Sequence, residues 1–109
     1  MDKIEALLGH YRAAHIINNA ALVVMALLLG QDDYEKTIAL AVMGGWDTDC
    51  NGATAGSIWG AMHGASRIPK KWIAPLNDTL FSLIPDYHPI AISECARRSA
   101  DIARKILSS

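Results

Sequence analysis

The sequence predicts an all-α protein built from packed helices. Apolar residues recur at spacings of three and four along most of the chain, which is the period of a helix with one buried face. No segment alternates apolar and polar residues in the way that is typical of a half-buried strand. The 109 residues, of which 51% are hydrophobic and 19% charged, have a globular composition and predict one domain or a part of one.

The N-terminal third predicts two helices. An apolar stripe indicates an amphipathic helix from residue 3 to about residue 14. The apolar run over residues 20–29 indicates a second helix, and because it is apolar on all sides we expect other helices to surround it. Asn18 or Asn19 can cap this helix, and Gly30 can end it in a left-handed conformation.

Two further helices follow. Asp32 and Glu35 have the spacing of a capping box and predict a third helix from residue 33 to about residue 43, which Gly44 and Gly45 end. A fourth helix is expected from about residue 51 to residue 65. Glycine recurs there every four residues, which indicates close approach of another helix or of a ligand. These glycines are Gly52, Gly56, Gly60 and Gly64.

The C-terminal part predicts less regular structure. Residues 68–72 indicate a turn into a short helix, and three prolines limit regular structure over residues 75–89. A last amphipathic helix is expected over about residues 92–107. Its predicted inner stripe consists of Ile92, Ala96, Ser99, Ala103 and Ile106.

Charge and cysteine usage narrow the class of partner. The formal net charge is −1 and no basic face stands out, so neither nucleic acid nor an anionic membrane is an expected partner. The longest apolar run has about half of the roughly 20 residues that a membrane span needs. Cys50 and Cys95 belong to no metal-binding or redox pattern, and free thiols together with the lack of a visible signal peptide predict a cytoplasmic protein.

Two carboxylates stand out at the start of the fourth helix. Asp47 and Asp49 are separated by one residue and follow a pair of glycines, so a curled backbone can bring their oxygens together. Carboxylate oxygens and water are the usual ligands of Mg²⁺. The alternative is structural, because Asp49 alone could cap the helix.

The segment around these aspartates resembles a known family signature. Gly45-Trp46-Asp47-Thr48-Asp49-Cys50-Asn51, followed by Ala53 and Gly56, is similar to the signature of the ADP-ribosylglycohydrolase family, and in particular to a microbial branch with the wording Gly-Trp-Asp-Thr-Asp-Cys-Asn. The similarity extends over roughly residues 10–98. Supporting segments are residues 15–24, 33–37, 68–72, 75–79 and 87–90.

The resemblance implies an orthogonal helical bundle that holds two Mg²⁺ ions and cleaves a glycosidic or ester bond to ADP-ribose. It implies that Asp47 and Asp49 are metal ligands with a catalytic role, and that the substrate is an ADP-ribosylated protein or a small ADP-ribose derivative. The metal ions would lower the pKa of a bound water, and the carboxylates would handle protons at the anomeric carbon.

Two departures from the family pattern affect this expectation. Cys50 occupies a position where the family usually has a threonine whose hydroxyl also binds the metal, and a soft thiol suits Mg²⁺ poorly. No Thr-Asp-Asp motif, which supplies the other ligands in the family, occurs before Asp47. We therefore expect residues 1–109 to be the C-terminal part of a single family domain whose N-terminal part is absent, completed by that missing half or by an oligomer.

Other residues near the motif are candidates for substrate contact. His15 is either a capping histidine or a substrate contact, and Trp46 either packs under the loop or stacks on an adenine or ribose. The helix N-terminus after Asn51 can face a diphosphate. The alternative to an enzyme is a non-catalytic structural or ligand-binding relative of the same fold, or an inactive fragment.

Overall fold

The computed structural model describes residues 1–108, and the fold class is all-α as predicted. The described residues form six α-helices, short 3-10 turns and one small antiparallel sheet. The chain divides into two compact units, residues 1–68 and the segment from Pro69 onward. No helix among the described residues is both long enough and apolar enough to cross a bilayer.

The first helix is shorter than the sequence predicted. Helix α1 spans Asp2–Leu8 and is followed by Gly9, a residue that costs roughly 1 kcal/mol inside a helix. The carbonyl groups of residues 12 and 13 accept hydrogen bonds from the side-chain amides of Asn18 and Asn19, at 3.2 and 2.6 Å. Residues 9–15 form turns rather than a continuation of α1, and these side-chain bonds fix the turn just before α2.

Helix α2 spans Ile16–Gly30 and so begins before residue 20, where the prediction placed its start. Its cap is His15, whose Nδ1 accepts a hydrogen bond from the backbone N–H of Ile17 at 3.2 Å. The prediction that Asn18 or Asn19 caps this helix was wrong, because both asparagines lie inside it and bond to the preceding turn instead.

The prediction that Gly30 ends α2 in a left-handed conformation was also wrong. Gln31 takes the positive φ of 53°, while Gly30 is the last helical residue and is buried. A Cβ at Gly30 would overlap Oγ1 of Thr37 and lie 2.8 Å from its Cα. Glycine is needed here because helix α3 (Tyr34–Met43) approaches closely, rather than because the chain turns.

One face of α2 packs and the opposite face does not. Leu22, Val23 and Ala26 are buried, whereas Val24 and Leu28 are 55% and 68% exposed. Helices α3 and α4 (Thr48–His63) both pack on the buried face. The prediction that other helices surround α2 is therefore wrong for the exposed face. A groove of about 520 Å³ runs along the exposed side between α1 and α2; it is lined by Ile4, Ala20, Ala21, Val24, Met25, Leu28 and Leu29.

Helices α3 and α4 complete the first unit. Helix α3 spans Tyr34–Met43 and is capped by Asp33, which accepts from the N–H of Lys36 at 3.0 Å. The predicted capping box of Asp32 and Glu35 is therefore wrong, because the cap is Asp33 and the residue three positions later is a lysine. Helix α4 spans Thr48–His63, with Gly45 (φ 72°) in the turn before it and Gly64 (φ 84°) after it. It begins three residues earlier than expected, and this shift places the second aspartate of the motif inside its first turn.

Small residues allow the three long helices to approach one another. Ala26 of α2, Ala41 of α3 and Ala55 of α4 are completely buried and form one apolar cluster with Val23. The glycines of α4 contribute on one side: a Cβ at Gly56 would lie 3.2 Å from Cδ1 of an isoleucine on α3. The glycine stripe therefore packs against a helix over its first half, as one of the two predicted alternatives requires.

Trp59 ties α4 to the turn between α2 and α3. Its side chain is 2% exposed, and its Nε1–H donates to the carbonyl of Gln31 at 3.0 Å. Its ring meets Tyr34 edge-on, with centroids 5.2 Å apart, and lies 4.2 Å from the ring of His63. The buried N–H is thus satisfied, which is the usual condition for burying a tryptophan.

The second unit contains helix α5 (Lys70–Ile73), a 3-10 turn (Ala74–Leu76), strands β1 (Thr79–Leu80) and β2 (Ile90–Ala91), and helix α6 (Ile92–Leu107). The short helix after the turn at residues 68–69 and the last helix lie where the sequence predicted them. The two-residue strands were not predicted, because a ladder this short carries no detectable alternation.

Helix α6 is held by polar contacts rather than by burial. It contains no buried residue, and Ile92 and Ile106 of the predicted inner stripe are 37% and 67% exposed, so that prediction is wrong. The described part of this unit has no other helix longer than one turn that could cover the stripe. Arg97 and Arg98 donate to the Glu94 carboxylate at 2.8 and 2.7 Å. These bonds lower the pKa of Glu94 to about 2, and the bond from Arg97 has the larger effect.

Candidate metal centre

The aspartates of the motif lie at the N-terminus of α4, and neither side chain is used as a helix cap. Asp47 occupies the N-cap position, but its carboxylate accepts no capping hydrogen bond from the backbone. Asp49 lies in the first turn, beyond the cap position. The alternative in which Asp49 caps the helix is therefore not what the structure shows.

Three side chains converge at this point. The carboxylates of Asp47 and Asp49 and the thiol of Cys50 each offer one atom, and these atoms lie within 4.8 Å of one another. Among the described residues, 1–108, this group brings three acidic or cysteine side chains close enough together to hold a metal ion. Asp47 is half-buried, while Asp49 and Cys50 are exposed.

The sequence predicted this convergence for a different reason. It placed both aspartates in a curled loop, whereas only Asp47 precedes the helix and Asp49 belongs to its first turn. The helix itself brings the side chains together, because the N-cap and the first-turn residues share the open end of α4. The positive end of the helix dipole faces the two carboxylates and offsets part of their mutual repulsion.

The thiol of Cys50 is held in its protonated form. A hydrogen bond to the Asp47 carboxylate is the main reason why the pKa of Cys50 is raised above its ordinary value of 9.0, and the negative charges of Asp47 and then Asp49 add to this effect. A thiolate is therefore disfavoured at neutral pH while no cation is present. The hard ligands of this group are the two carboxylates.

Asn19 supports the group from the opposite helix, and sequence reasoning did not single it out for the site. Its Oδ1 accepts from the backbone N–H of Asp47 at 3.0 Å and from Nδ2 of Asn51 at 2.7 Å. Asn51 is 3% exposed, so this contact lies in the interior beneath the aspartates. The signal in the sequence was limited to two consecutive asparagines ahead of an apolar run, which is equally typical of a helix cap.

A cavity of about 430 Å³ opens beside Asp47 and Cys50. Apolar side chains of α2 form most of its wall, and α4 contributes polar groups at one end. Its lining residues are Ala14, Ile16, Asn19, Ala20, Val23, Val24, Asp47, Cys50, Asn51 and Thr54.

The remaining candidates lie around this site in different ways. Asn51 lines the cavity and is anchored to Asn19. His15 caps α2 and stacks on Tyr11 with ring centroids 4.4 Å apart, so its capping role is observed and its role in substrate contact stays a prediction. Trp46 is half-buried next to Asp47 and does not line the described cavity, and its stacking on a base or ribose also stays a prediction.

The donor set fits one hard divalent cation. Two oxygens bound to one Mg²⁺ lie at most about 4.2 Å apart, because each is about 2.1 Å from the ion. Atoms that lie within 4.8 Å of one another reach this geometry through small side-chain rotations. Two carboxylates completed by water match the usual Mg²⁺ environment. The described residues do not offer a second group of this kind.

Comparison with known proteins gives one finding. No curated protein and no solved structure gave a significant match to this chain. A family model described as ADP-ribosylglycohydrolase matches residues 1–104, which is nearly the whole chain. The chain therefore belongs to the ADP-ribosylglycohydrolase family.

Proposed function

We propose that Asp47 and Asp49 bind Mg²⁺. The chain would then form the metal-binding part of the active site of a hydrolase that cleaves an ADP-ribosyl bond. The observation that carries this proposal is the convergence of two carboxylates at the N-terminus of α4, neither of which caps the helix. They lie next to a cavity, which Asp47 lines, in a chain that belongs to this family. Carboxylates whose only role was structural would accept hydrogen bonds from the first backbone N–H groups of the helix.

The residues of this chain have separable roles in the proposed site. When bound, the cation would orient ribose hydroxyls and make a water molecule more acidic. Asp47 and Asp49 hold the cation, and whichever of their oxygens faces away from it accepts a proton from substrate or water. The apolar wall of the cavity excludes water from one side of the reacting sugar, which strengthens these electrostatic interactions.

The substrate would be an ADP-ribosylated protein or a small ADP-ribose derivative. The positive end of the α4 dipole suits a diphosphate, as it does in other phosphate-binding helices. Asn51 lies in this turn and lines the cavity. We propose that reaction takes place in the cytoplasm, where the free thiols Cys50 and Cys95 are stable.

A second candidate function is a non-catalytic member of the family that binds ADP-ribose or Mg²⁺ without turnover. Two observations favour it: a protonated thiol stands where the family has a metal-binding hydroxyl, and the described residues lack a second ligand group. A complete dinuclear centre would need ligands from an N-terminal half of the family domain or from another copy of this chain in an oligomer.

Titration of the protein with Mg²⁺ alone tests the metal proposal. We expect the wild-type protein to bind Mg²⁺ in isothermal titration calorimetry, and we expect Asp47→Asn and Asp49→Asn each to lose this binding because each removes one hard anionic ligand. Asp32→Asn is the matched control, since it makes the same change of charge in the same unit at a carboxylate outside the group. Unchanged affinity in both site variants would remove these residues from the metal site.

Hydrolysis assays then separate the enzyme from the binding protein. The full chain is incubated with arginine-linked, serine-linked and ester-linked ADP-ribose, with Mg²⁺ and with a chelator. Release of ADP-ribose that needs Mg²⁺ and is lost in Asp49→Asn supports the hydrolase. Binding of ADP-ribose without any release supports the second candidate.

A further inference from the structure

Asn19 connects two parts of the molecule that are distant in sequence. It lies in the first half of α2, and its side chain reaches Asp47, the residue at the N-cap position of α4, 28 positions later. Each of its polar atoms has partners, and the partners fall into two groups with different consequences.

The acceptor half of the amide faces Asp47, Asp49 and Cys50, which together are called the metal-binding group below. Oδ1 accepts from the N–H of Asp47 at 3.0 Å and from Nδ2 of Asn51 at 2.7 Å. The N–H of Asp47 is one of the groups at the helix start that have no intrahelical partner. Asn19 supplies that partner, and so fixes the backbone position from which the Asp47 carboxylate projects.

The donor half faces the turn before α2. Nδ2 donates to the carbonyl of Ala13 at 2.6 Å and to that of His15 at 2.8 Å. Backbone N–H on one side and backbone carbonyls on the other leave a single orientation of the amide that satisfies every partner. The amide is therefore clamped between the turn and the metal-binding group.

We infer that Asn19 is a positioning residue for the metal site: it holds the Asp47 backbone so that the Asp47 and Asp49 carboxylates converge before a cation arrives. The inference rests on the proposed function, because it assumes that these carboxylates bind Mg²⁺. The Asp47 side chain forms no capping bond, so the bond to Asn19 is what restrains its backbone N–H. Partners that orient metal ligands in this way typically change metal affinity by about 10- to 100-fold when they are removed.

The variant Asn19→Ser separates the two halves of the amide. A serine hydroxyl inside a helix can donate to the carbonyl four residues earlier, so it replaces the bond to His15. It is too short to reach Asp47. Asn18→Ser is the matched control, because Asn18 is completely buried and donates to the carbonyl of Arg12 at 3.2 Å. Its Oδ1 accepts a long bond of 3.5 Å from Nδ2 of Asn19, on the donor half of that amide, and neither of these two bonds reaches Asp47.

Mg²⁺ affinity and thermal stability are measured for both variants at a temperature at which circular dichroism shows them folded. We expect Asn19→Ser to weaken Mg²⁺ binding by about tenfold or more. We expect Asn18→Ser to lower the melting temperature and leave the affinity of the folded protein unchanged. Wild-type affinity in Asn19→Ser, or equal weakening in both variants, overturns the inference.

The failure of this inference differs from the failure of the proposed function. If wild-type protein does not bind Mg²⁺ and Asp47→Asn behaves like it, both are overturned together. If Asp47→Asn abolishes binding while Asn19→Ser binds normally, the positioning role alone is overturned. Should Asn19→Ser not fold, amide hydrogen exchange of the wild-type protein decides the matter: slow exchange at Asp47 without Mg²⁺ supports the restraint, and fast exchange there overturns it.

Discussion

Replacing the glycines of α4 one at a time would show what the glycine stripe accommodates. Alanine in a helix interior is more favourable than glycine by about 1 kcal/mol, so each substitution begins with that gain. The result then depends on what the new Cβ meets. The structure gives a different neighbour at each position, and the series is therefore its own control.

Gly60→Ala should keep the whole gain. Its Cβ would lie 3.8 Å from Cδ1 of Ile68, which is an ordinary van der Waals contact. We expect the free energy of unfolding to rise by about 1 kcal/mol, which corresponds to a melting temperature higher by roughly 4–8 °C for a domain of this size.

Gly56→Ala should lose the gain. Its Cβ would lie 3.2 Å from Cδ1 of Ile38 and 3.4 Å from the hydroxyl of Tyr34, so both neighbours must move. Overpacking of this kind costs about 1–3 kcal/mol, and the net change is between roughly zero and 2 kcal/mol of destabilisation. Gly52→Ala, with a single contact at 3.3 Å from Cγ2 of Val42, should lie between the other two.

Urea denaturation followed by far-UV circular dichroism measures the series. The expected order of stability is Gly60→Ala, then Gly52→Ala, then Gly56→Ala. If Gly60→Ala destabilises the protein as much as Gly56→Ala does, the space beside Gly60 is not open and the packing argument is refuted. Such a result would favour the other interpretation of the stripe, in which a ligand or partner lies against its second half.

Three further predictions concern the second unit and the thiol. Asp78→Asn should weaken the start of α6, because the Asp78 carboxylate accepts from both the N–H and the hydroxyl of Ser93, at 2.8 and 2.5 Å. We expect faster amide exchange in the first turn of α6 and a melting temperature lower by roughly 5 °C. Bonds from two arginines lower the pKa of Glu94 from 4.5 to about 2. Their stabilisation of α6 is therefore complete above pH 4.5 and is lost as the pH falls towards 2. An acid titration followed by circular dichroism should show α6 losing helicity in that window. Cys50→Thr should bind Mg²⁺ roughly tenfold more tightly in calorimetry, a gain of about 1.4 kcal/mol, because a hard hydroxyl replaces a protonated thiol; unchanged affinity would show that this position does not face the cation.

Local patterns predicted the helices whose ends are set locally. Helix α6 begins and ends within the predicted range, and the end of α3 follows from Gly44 and Gly45. The start of α2 was missed because Asn18 and Asn19 have the composition of a cap, while their actual partners are carbonyls in the preceding turn. Propensity cannot distinguish these two uses of an asparagine, since both satisfy backbone groups near a helix start.

The candidate site was predicted as a pair of residues but not as a structure. The spacing of Asp47 and Asp49 identified two carboxylates that the structure brings together. Their support by Asn19 joins residues 28 positions apart, and no local pattern encodes such a contact. The same limitation explains the exposed face of α2, because its sequence shows that the helix is apolar but does not show which side other elements cover.

The two aspartates also predict opposite effects on stability with and without a cation. Two carboxylates whose oxygens lie within 4.8 Å of each other repel one another when no cation is present. The dipole of α4 offsets only part of this repulsion, and Asp47 forms no capping bond that would offset more of it. Asp49→Asn should therefore raise the melting temperature of the metal-free protein. It should also abolish the stabilisation by Mg²⁺, which in the wild-type protein reaches about 2.7 kcal/mol at a concentration 100 times the Kd. Thermal melts of both proteins with Mg²⁺ and with a chelator measure the two effects. A purely structural aspartate would give the reverse pattern, with a lower melting temperature in the variant and no dependence on Mg²⁺ in either protein, and that result would end the case for a metal site at this helix.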